Sequence, residues 1–478
     1  MHVVLILSDQ HNPKITGFNG NRIIRTPNLD SLASMGTSLA NCYCSSPLCV
    51  PSRAAMLSGL LPSKTGIFTN FQSLHSDRAT FVHSLGIAGY ETALCGRMHF
   101  VGPDQHQGYM KRIVADISSP FVGGGFDLGF LDRADEQSRI ALEKAGPGNS
   151  SVIDYDREVF EQAQAFLQHR QSDQPLFLTI GLYGPHCPYV CPEDLYEYYY
   201  ENLPPADTCA AFKKNVHPAV KKWYENRGIS VITEEEVRRA QAGYYGLIEL
   251  MDRFIGRFIE TVEKTLGLKD TLLIYASDHG DMAGDKGLFW KTNLYEGSVR
   301  VPLILSLPDI IQSGKRIEQV TSLLDLGPTL ISFCSGPELP ETDGESLLQL
   351  LRGEAAENPD RFVISQLGDL KGDSPSAMIR RGAWKLVHHH GYGDPQLFNL
   401  DEDPEESNDL GSNADYHSHC AELMDELSRN WNGGQVLDHI THLSAHTELL
   451  KQWFEITGPE TQDQWIGRPD NNYLVSKD

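Results

Sequence analysis

Four short apolar runs, each ending in residues that bind metals or move protons, constrain the fold of this chain more than any other feature. Val3–Leu7 leads into Ser8-Asp9-Gln10, and Thr92–Cys95 into Gly96-Arg97-Met98-His99. Leu176–Leu182 leads into Tyr183-Gly184-Pro185-His186, and Leu272–Ala276 into Ser277-Asp278-His279-Gly280. Runs of this length, rich in branched residues and bounded by Gly or Pro, read as strands buried on both faces. Helical patterns lie between them, over Asp156–His169 and Glu234–Glu263. Alternating strand and helix predicts an α/β fold around a large, mostly parallel sheet flanked by helices, with ligands bound beyond the carboxyl ends of the strands. The four polar clusters fall there, so one site assembled from four distant segments is expected.

At 478 residues the chain has room for a second unit. The catalytic α/β domain is expected over 1–370 and a smaller α+β C-terminal subdomain over 371–478. The latter reads as a hairpin over Ala377–Val387, a strand over Pro395–Leu400, a helix over 414–432 and a tail with few signals. The net charge of −24 argues against nucleic acid and anionic membranes as partners. An anionic substrate then needs a few cations gathered in one pocket. Val3–Leu7 is too short for a secretion signal or a membrane span, and nine cysteines do not form a disulfide scaffold in so long a chain. These features predict a cytoplasmic protein with mostly reduced thiols, although a clipped signal peptide would leave the same chain.

Asp9-Gln10 and Asp278-His279 offer two carboxylates, an amide oxygen and an imidazole, a set that holds a divalent cation. Either aspartate alone reads equally well as a helix N-cap. Cys49 alone reads as a small buried residue, and Cys42-x-Cys44 lacks the second Cys/His pair of a zinc site. Arg53, one helical turn on, shares a face with Cys49. His388-His389-His390 reads as polar strand or loop.

The stretch Cys49-Val50-Pro51-Ser52-Arg53, followed by Leu57-Ser58-Gly59, resembles the signature of the type I sulfatases of the alkaline-phosphatase superfamily. The likeness extends from Asp9 to Leu397-Phe398-Asn399-Leu400, Asp403-Pro404, Glu406 and Asn408. It implies that a formylglycine-generating maturation enzyme oxidises Cys49 to an aldehyde whose hydrate is the nucleophile in hydrolysis of a sulfate monoester. Asp9, Gln10, Cys49, Asp278 and His279 match the family's metal ligands. Gln10 and His279 stand where many sulfatases have Asp and Asn, as in choline sulfatases and phosphonate monoester hydrolases. The resemblance implies one divalent cation, Ca2+ first, with Mn2+ or Mg2+ open. Arg53 matches the arginine that bonds the hydrate. Arg97-x-His99 stands for the family's Lys-x-His, a sulfate-binding cation and the base that collapses the sulfated hydrate. His186 and Lys291 match the leaving-group histidine and the bridging lysine, and Asn70 an asparagine near the transferred group.

Gly96–Gln105 is most like choline-sulfatase-like enzymes. No tryptophan between Met1 and Lys222 is available for an aromatic cage, so a sulfated saccharide or small alkyl sulfate is the expected substrate. Two alternatives remain: a phosphonate monoester or phosphodiester hydrolase, and a non-catalytic anion-binding protein with unmodified Cys49. A homo-oligomer in which Asn471–Val475 covers a neighbour's pocket is a further expectation.

Overall fold

The computed structural model describes residues 1–206, 208, 212, 216–368 and 372–475. Its central sheet has nine strands: β1 (His2–Asp9), β2 (Thr37–Tyr43), β3 (Glu91–Gly96), β4 (Lys111–Val114), β5 (Leu176–Pro185), β6 (Thr271–Ser277), β7 (Arg300–Val301), β8 (Leu303–Ser306) and β9 (Lys315–Ser322). The order is β9-β2-β8-β6-β1-β5-β3-β4, with β7 on β2. Among them β7 and β8 run against the rest. β1 lies in the middle, parallel to β5 and β6, and is buried from Val3 onward. This is why its apolar run is unbroken: both faces of a central strand meet packed helices.

The helices used below are α1 (Pro27–Met35), α2 (Cys49–Ser58), α3 (Ser151–His169), α4 (Glu234–Thr265), α5 (His417–Asn430) and α6 (Gly433–Thr457). α4 buries Tyr244, Leu247, Ile248, Met251, Ile255, Phe258 and Val262, a helical stripe. Its start is fixed by a capping box: Thr233 Oγ1 accepts from the Glu236 amide at 3.1 Å, and the Glu236 carboxylate accepts from the Thr233 amide at 2.8 Å. Such a cap contributes about 1 kcal/mol. Val4 and Ile6 of β1 and Leu178 and Ile180 of β5 share a core with Phe160, Phe254 and Phe258 of α3 and α4.

The antiparallel sheet of the C-terminal part is β10 (Phe362–Leu367), β11 (Ser376–Arg381), β12 (Trp384–His389) and β13 (Gln396–Asn399), in sequence order. The expected boundary at 370/371 lies outside the described residues, and β10, which precedes it, already belongs to this sheet. Cys420, Leu423 and Leu427 of α5 cover Ala377, Ile379, Leu386 and Leu397. α6 was not expected: it buries only Gly433 and Val436, so no apolar period marks it, and its local signals are its caps, Asn432, whose side chain accepts from the Gln435 amide at 3.1 Å, and the left-handed Gly458. The tail lies against its own chain. Tyr473 and Leu474 pair with Asn149 and Gly148 of the same chain, and the Val475 amide donates to the Pro147 carbonyl at 2.8 Å. No helix among the described residues is long and apolar enough to cross a membrane.

The triple histidine falls at the end of β12 and the following turn. His389 is buried between Ser376 Oγ at 2.7 Å and Gln396 Oε1 at 3.2 Å, and its ring stacks on His217. Burial, reinforced by His217, holds its imidazole down at about 3. The unfolded chain takes up a proton below about pH 6.5, whereas the folded chain resists it. The contribution of His389 is therefore complete above that value and lost as pH falls, at about 1.4 kcal/mol per pH unit. We expect His389→Gln to flatten the slope of urea-derived stability between pH 6.5 and 4 by about that amount. Parallel slopes for the two proteins would refute it.

Candidate active site

The carboxyl ends of β1, β3, β5 and β6 converge, and the amino end of α2 meets them. α2 is buried along its whole length, which fixes Cys49 at its first turn and Arg53 beneath it. Asp9 Oδ1 lies 3.7 Å from Cys49 Sγ and 3.5 Å from His279 Nε2, and Cys49 Sγ is 3.3 Å from the same nitrogen. Asp278 Oδ1 is 3.6 Å from His279 Nε2. All four donor atoms lie within 4.8 Å of one another, and all four residues are buried.

The outer face of this cluster is tied down by two buried guanidinium groups. Arg53 donates to Asp278 Oδ2 at 2.8 Å, to Asp9 Oδ2 at 3.2 Å and to the Arg97 carbonyl at 3.0 Å. Arg97 Nε donates to Asp9 Oδ2 at 2.8 Å. Each carboxylate thus gives one oxygen to arginine and turns the other inward. Burial opposes ionisation of Asp9, but Arg97, His186 and Arg53 outweigh it and hold the carboxyl well below its usual range. His279 Nδ1 donates to the Gly280 carbonyl at 3.1 Å, so the Nε2 lone pair faces the cluster, and burial keeps the ring neutral. Two carboxylates and a neutral imidazole with its lone pair inward form a donor set that fits a divalent cation.

Gln10 stands beside this cluster. Its backbone is left-handed, with φ 70°, and its amide donates to Asp278 Oδ1 at 3.1 Å. The Gln10 side-chain oxygen accepts from Lys291, while its NH2 donates to Asp281 Oδ2 at 2.5 Å. Lys291 also donates to His186 Nε2. The His186 ring is oriented by its Nδ1 donating to the Cys187 carbonyl at 2.7 Å, and burial, then Lys291, lowers its pKa. Arg97 also donates to Asp116, Ser118 and, at 2.7 Å, His99 Nδ1. Burial, then Arg97, keeps the His99 ring neutral well below its usual range. Asn70 accepts from the Val50 amide at 3.0 Å and faces the cleft. The fold thus brings Asp9, Gln10, Cys49, Arg53, Asn70, Arg97, His99, His186, Asp278, His279 and Lys291 together in one region.

Three carboxylates that hold the site were not foreseen. Asp116, just past β4, accepts from the Met98 and His99 amides at 2.9 and 2.6 Å and so holds His99 in a left-handed turn with φ 56°. Asp281 accepts from Gln10, from the Tyr189 hydroxyl at 2.6 Å, and from the amides of Ala283 and Trp290 at 2.7 and 2.8 Å. Asp156 on α3 accepts from the Tyr183 and Gly184 amides, both at 2.8 Å, bracing the turn that carries His186; burial pushes it up to about 7. Gly181 permits the close approach of β5 to the Arg97 turn, because a Cβ there would collide with the Arg97 carbonyl. Asp116 follows the strand-end rule that located the other clusters, but the mixed sequence Lys-Arg-Ile-Val of β4 concealed that strand.

Cys49 brings this cluster to the floor of a cleft of about 870 Å3, which Arg97, His99, His186 and Lys291 also line. Residues 69–72, 118–119, 121–126 and 135–137 line it, together with one face of α6: Ile440, Leu443, Ser444, Thr447, Glu448 and Lys451.

Residues 1–335 match the Sulfatase family model, and 284–432 match the model for the C-terminal region of N-sulphoglucosamine sulphohydrolase. The chain belongs to the sulfatase family, whose members are sulfuric ester hydrolases of the alkaline-phosphatase superfamily and generally use a divalent metal and formylglycine. It is 35% identical over 432 residues to a choline-sulfatase of Rhizobium meliloti, covering 86% of this chain and 82% of that one. Arylsulfatase K of Rattus norvegicus is 28% identical over 442 residues, covering 86% of this chain and 75% of that one. The fold is shared with the phosphonate monoester hydrolase of Agrobacterium radiobacter, with a TM-score of 0.73 at 22% identity and coverage of 90% and 95%.

Proposed function

We propose that the chain hydrolyses a sulfate monoester to an alcohol and inorganic sulfate through formylglycine derived from Cys49. The supporting observation is the position of Cys49 Sγ, which lies among the inward-facing atoms of Asp9, Asp278 and His279 on the floor of a cleft that Arg97, His99, His186 and Lys291 also line. With an oxygen in place of sulfur, this set is dominated by hard donors, which favours calcium, then manganese or magnesium. When bound, the ion supplies positive charge that lowers the proton affinity of the nucleophile. Asp9, Cys49, Asp278 and His279 hold it, with the second lone pair of the Gln10 amide oxygen as a further donor.

Arg97 and Lys291 receive the sulfate oxygens. One hydroxyl of the residue-49 hydrate loses its proton to solvent, and its oxygen then attacks sulfur while the bond from sulfur to the alcohol oxygen breaks. Lys291, held between His186 and Gln10, gives the departing oxygen its proton. Arg97 can only donate, so His99 offers it the Nδ1 lone pair in the resting site. Bonding of Arg97 to sulfate releases that lone pair, and His99 then takes the proton of the second hydroxyl. The carbon–oxygen bond to sulfate breaks, the aldehyde re-forms and water restores the hydrate. The Gln10 and His279 pair is shared with phosphonate monoester hydrolases; Arg97 and His99 favour sulfate over that reading.

The test is the mass of the tryptic peptide Thr26–Arg53 from protein made with a maturation enzyme, followed by turnover of para-nitrophenyl sulfate before and after chelation. The expected result is an aldehyde at position 49, loss of turnover on chelation, and recovery with calcium. An unmodified thiol despite competent maturation, or faster cleavage of a phosphate diester than of the sulfate, would overturn the reading.

A further inference from the structure

The charges along the cleft are distributed unevenly. At its floor Arg97 and Lys291 serve the sulfate. Among the described residues that line the rest of it, the remaining arginine and lysine are each already neutralised: Arg227 is buried and paired with Asp373 at 2.8 Å, and Lys451 is paired with Glu448 at 2.9 Å. Three carboxylates, Asp135, Glu136 and Glu448, line the same walls. Glu136 is paired with Arg133 at 3.0 Å, but Asp135 has no ion-pair partner among the described residues. The chain at Asp135 is anchored beside the leaving-group residue His186, because the Asp135 backbone carbonyl accepts from Cys187 Sγ at 3.3 Å. Phe71, Phe121, Phe126 and Tyr183 supply apolar surface nearby. The volume, about 870 Å3, suits a sugar-sized group better than a short alkyl chain.

We infer that the cleft selects sulfate esters whose alcohol half carries no further anionic group and offers hydroxyl or ammonium donors to Asp135, and that it turns polyanionic esters away. This rests on the sulfatase reading above. A second sulfate or a carboxylate entering these walls would meet Asp135, which has no ion-pair partner among the described residues, while each described cation lining the walls beyond the floor already has a carboxylate beside it. Like charges brought together there oppose binding. A hydroxyl or ammonium donor instead gains a charge-assisted hydrogen bond.

The test uses the matured, metal-loaded enzyme and three sugars that differ only at the 2-nitrogen: the 6-O-sulfates of glucosamine, N-acetylglucosamine and N-sulfoglucosamine, read both as substrates and as inhibitors of para-nitrophenyl sulfate turnover. The N-sulfated compound is expected to be the weakest by at least about tenfold, or about 1.4 kcal/mol. Asp135→Asn is expected to narrow the ratio between the glucosamine and N-sulfoglucosamine esters by a similar factor. The inference is overturned if the N-sulfated ester matches or exceeds the other two, if none of the sugars binds while para-nitrophenyl sulfate is turned over, or if Asp135→Asn leaves the ratio unaltered. Failure to turn over para-nitrophenyl sulfate as well would instead overturn the sulfatase reading, and the selection with it.

Discussion

Turnover of para-nitrophenyl sulfate is expected to fall by about four orders of magnitude or more when Cys49 is replaced by alanine. A methyl group is neither oxidised to an aldehyde nor able to attack sulfur, and the residual rate is what the cations of the cleft achieve without a nucleophile. The loss is chemical, not structural. Cys49 is buried in a helix packed on every side, and removing one sulfur there costs about 1 kcal/mol. A thermal melt within a few degrees of the unsubstituted protein, alongside the lost turnover, would separate the two effects. A variant retaining a tenth of the activity would rule out residue 49 as the nucleophile.

Lys385→Met is expected to lower stability by about 3–5 kcal/mol. Lys385 on β12 has no solvent exposure and donates to Glu296 at 2.9 Å and to Glu406 at 2.7 Å. Glu296 also accepts from the Tyr43 hydroxyl of β2 at 2.8 Å, and Arg380 of β11 lies 3.6 Å from it. These bonds tie the small sheet to the large one. Burial opposes the ionisation of Glu296, but Lys385, Arg380 and Arg300 hold it down at about 2; burial pushes the Glu406 carboxyl up. Without the ammonium, Glu406 must either take a proton or stay charged and buried. Protonation is easier at low pH, so the loss is expected to be larger at pH 8 than at pH 5. Urea denaturation at both values, with Lys385→Met/Glu406→Gln recovering part of the loss, is the check. A change under 1 kcal/mol would refute this account.

The floor of the site was legible in the sequence because central parallel strands announce themselves. Val3–Leu7 and Leu272–Ala276 are apolar without interruption, and the chain rule for such sheets places the next residues, Asp9 and Asp278, at one edge. Cys49 and Arg53 were legible through the resemblance of Cys49–Arg53 to the sulfatase signature; helical spacing adds only that the two share a face. Asp116, Asp156 and Asp281 were not, because each acts by accepting backbone and side-chain donors brought to it by tertiary folding, and an isolated aspartate carries no mark of that. Gln10 shows the same limit: its residue type indicated a ligand, but the sequence could not show Lys291 and Asp281 sharing its amide. α6 escaped notice for the opposite reason, since a helix that buries only two residues needs no apolar stripe.

That helix divides the cleft into parts of unequal firmness. The floor belongs to the innermost strands of the molecule, whose amides open only with the whole domain; the α6 wall rests on few buried contacts and opens at far lower cost. Chemistry and the shape of the outer wall thus sit on separate mechanical footings. Substitutions along Ile440–Lys451 can reshape the space for the alcohol while leaving the four buried donor atoms undisturbed, and a product held against that wall can leave by its yielding instead of by any motion of the catalytic floor.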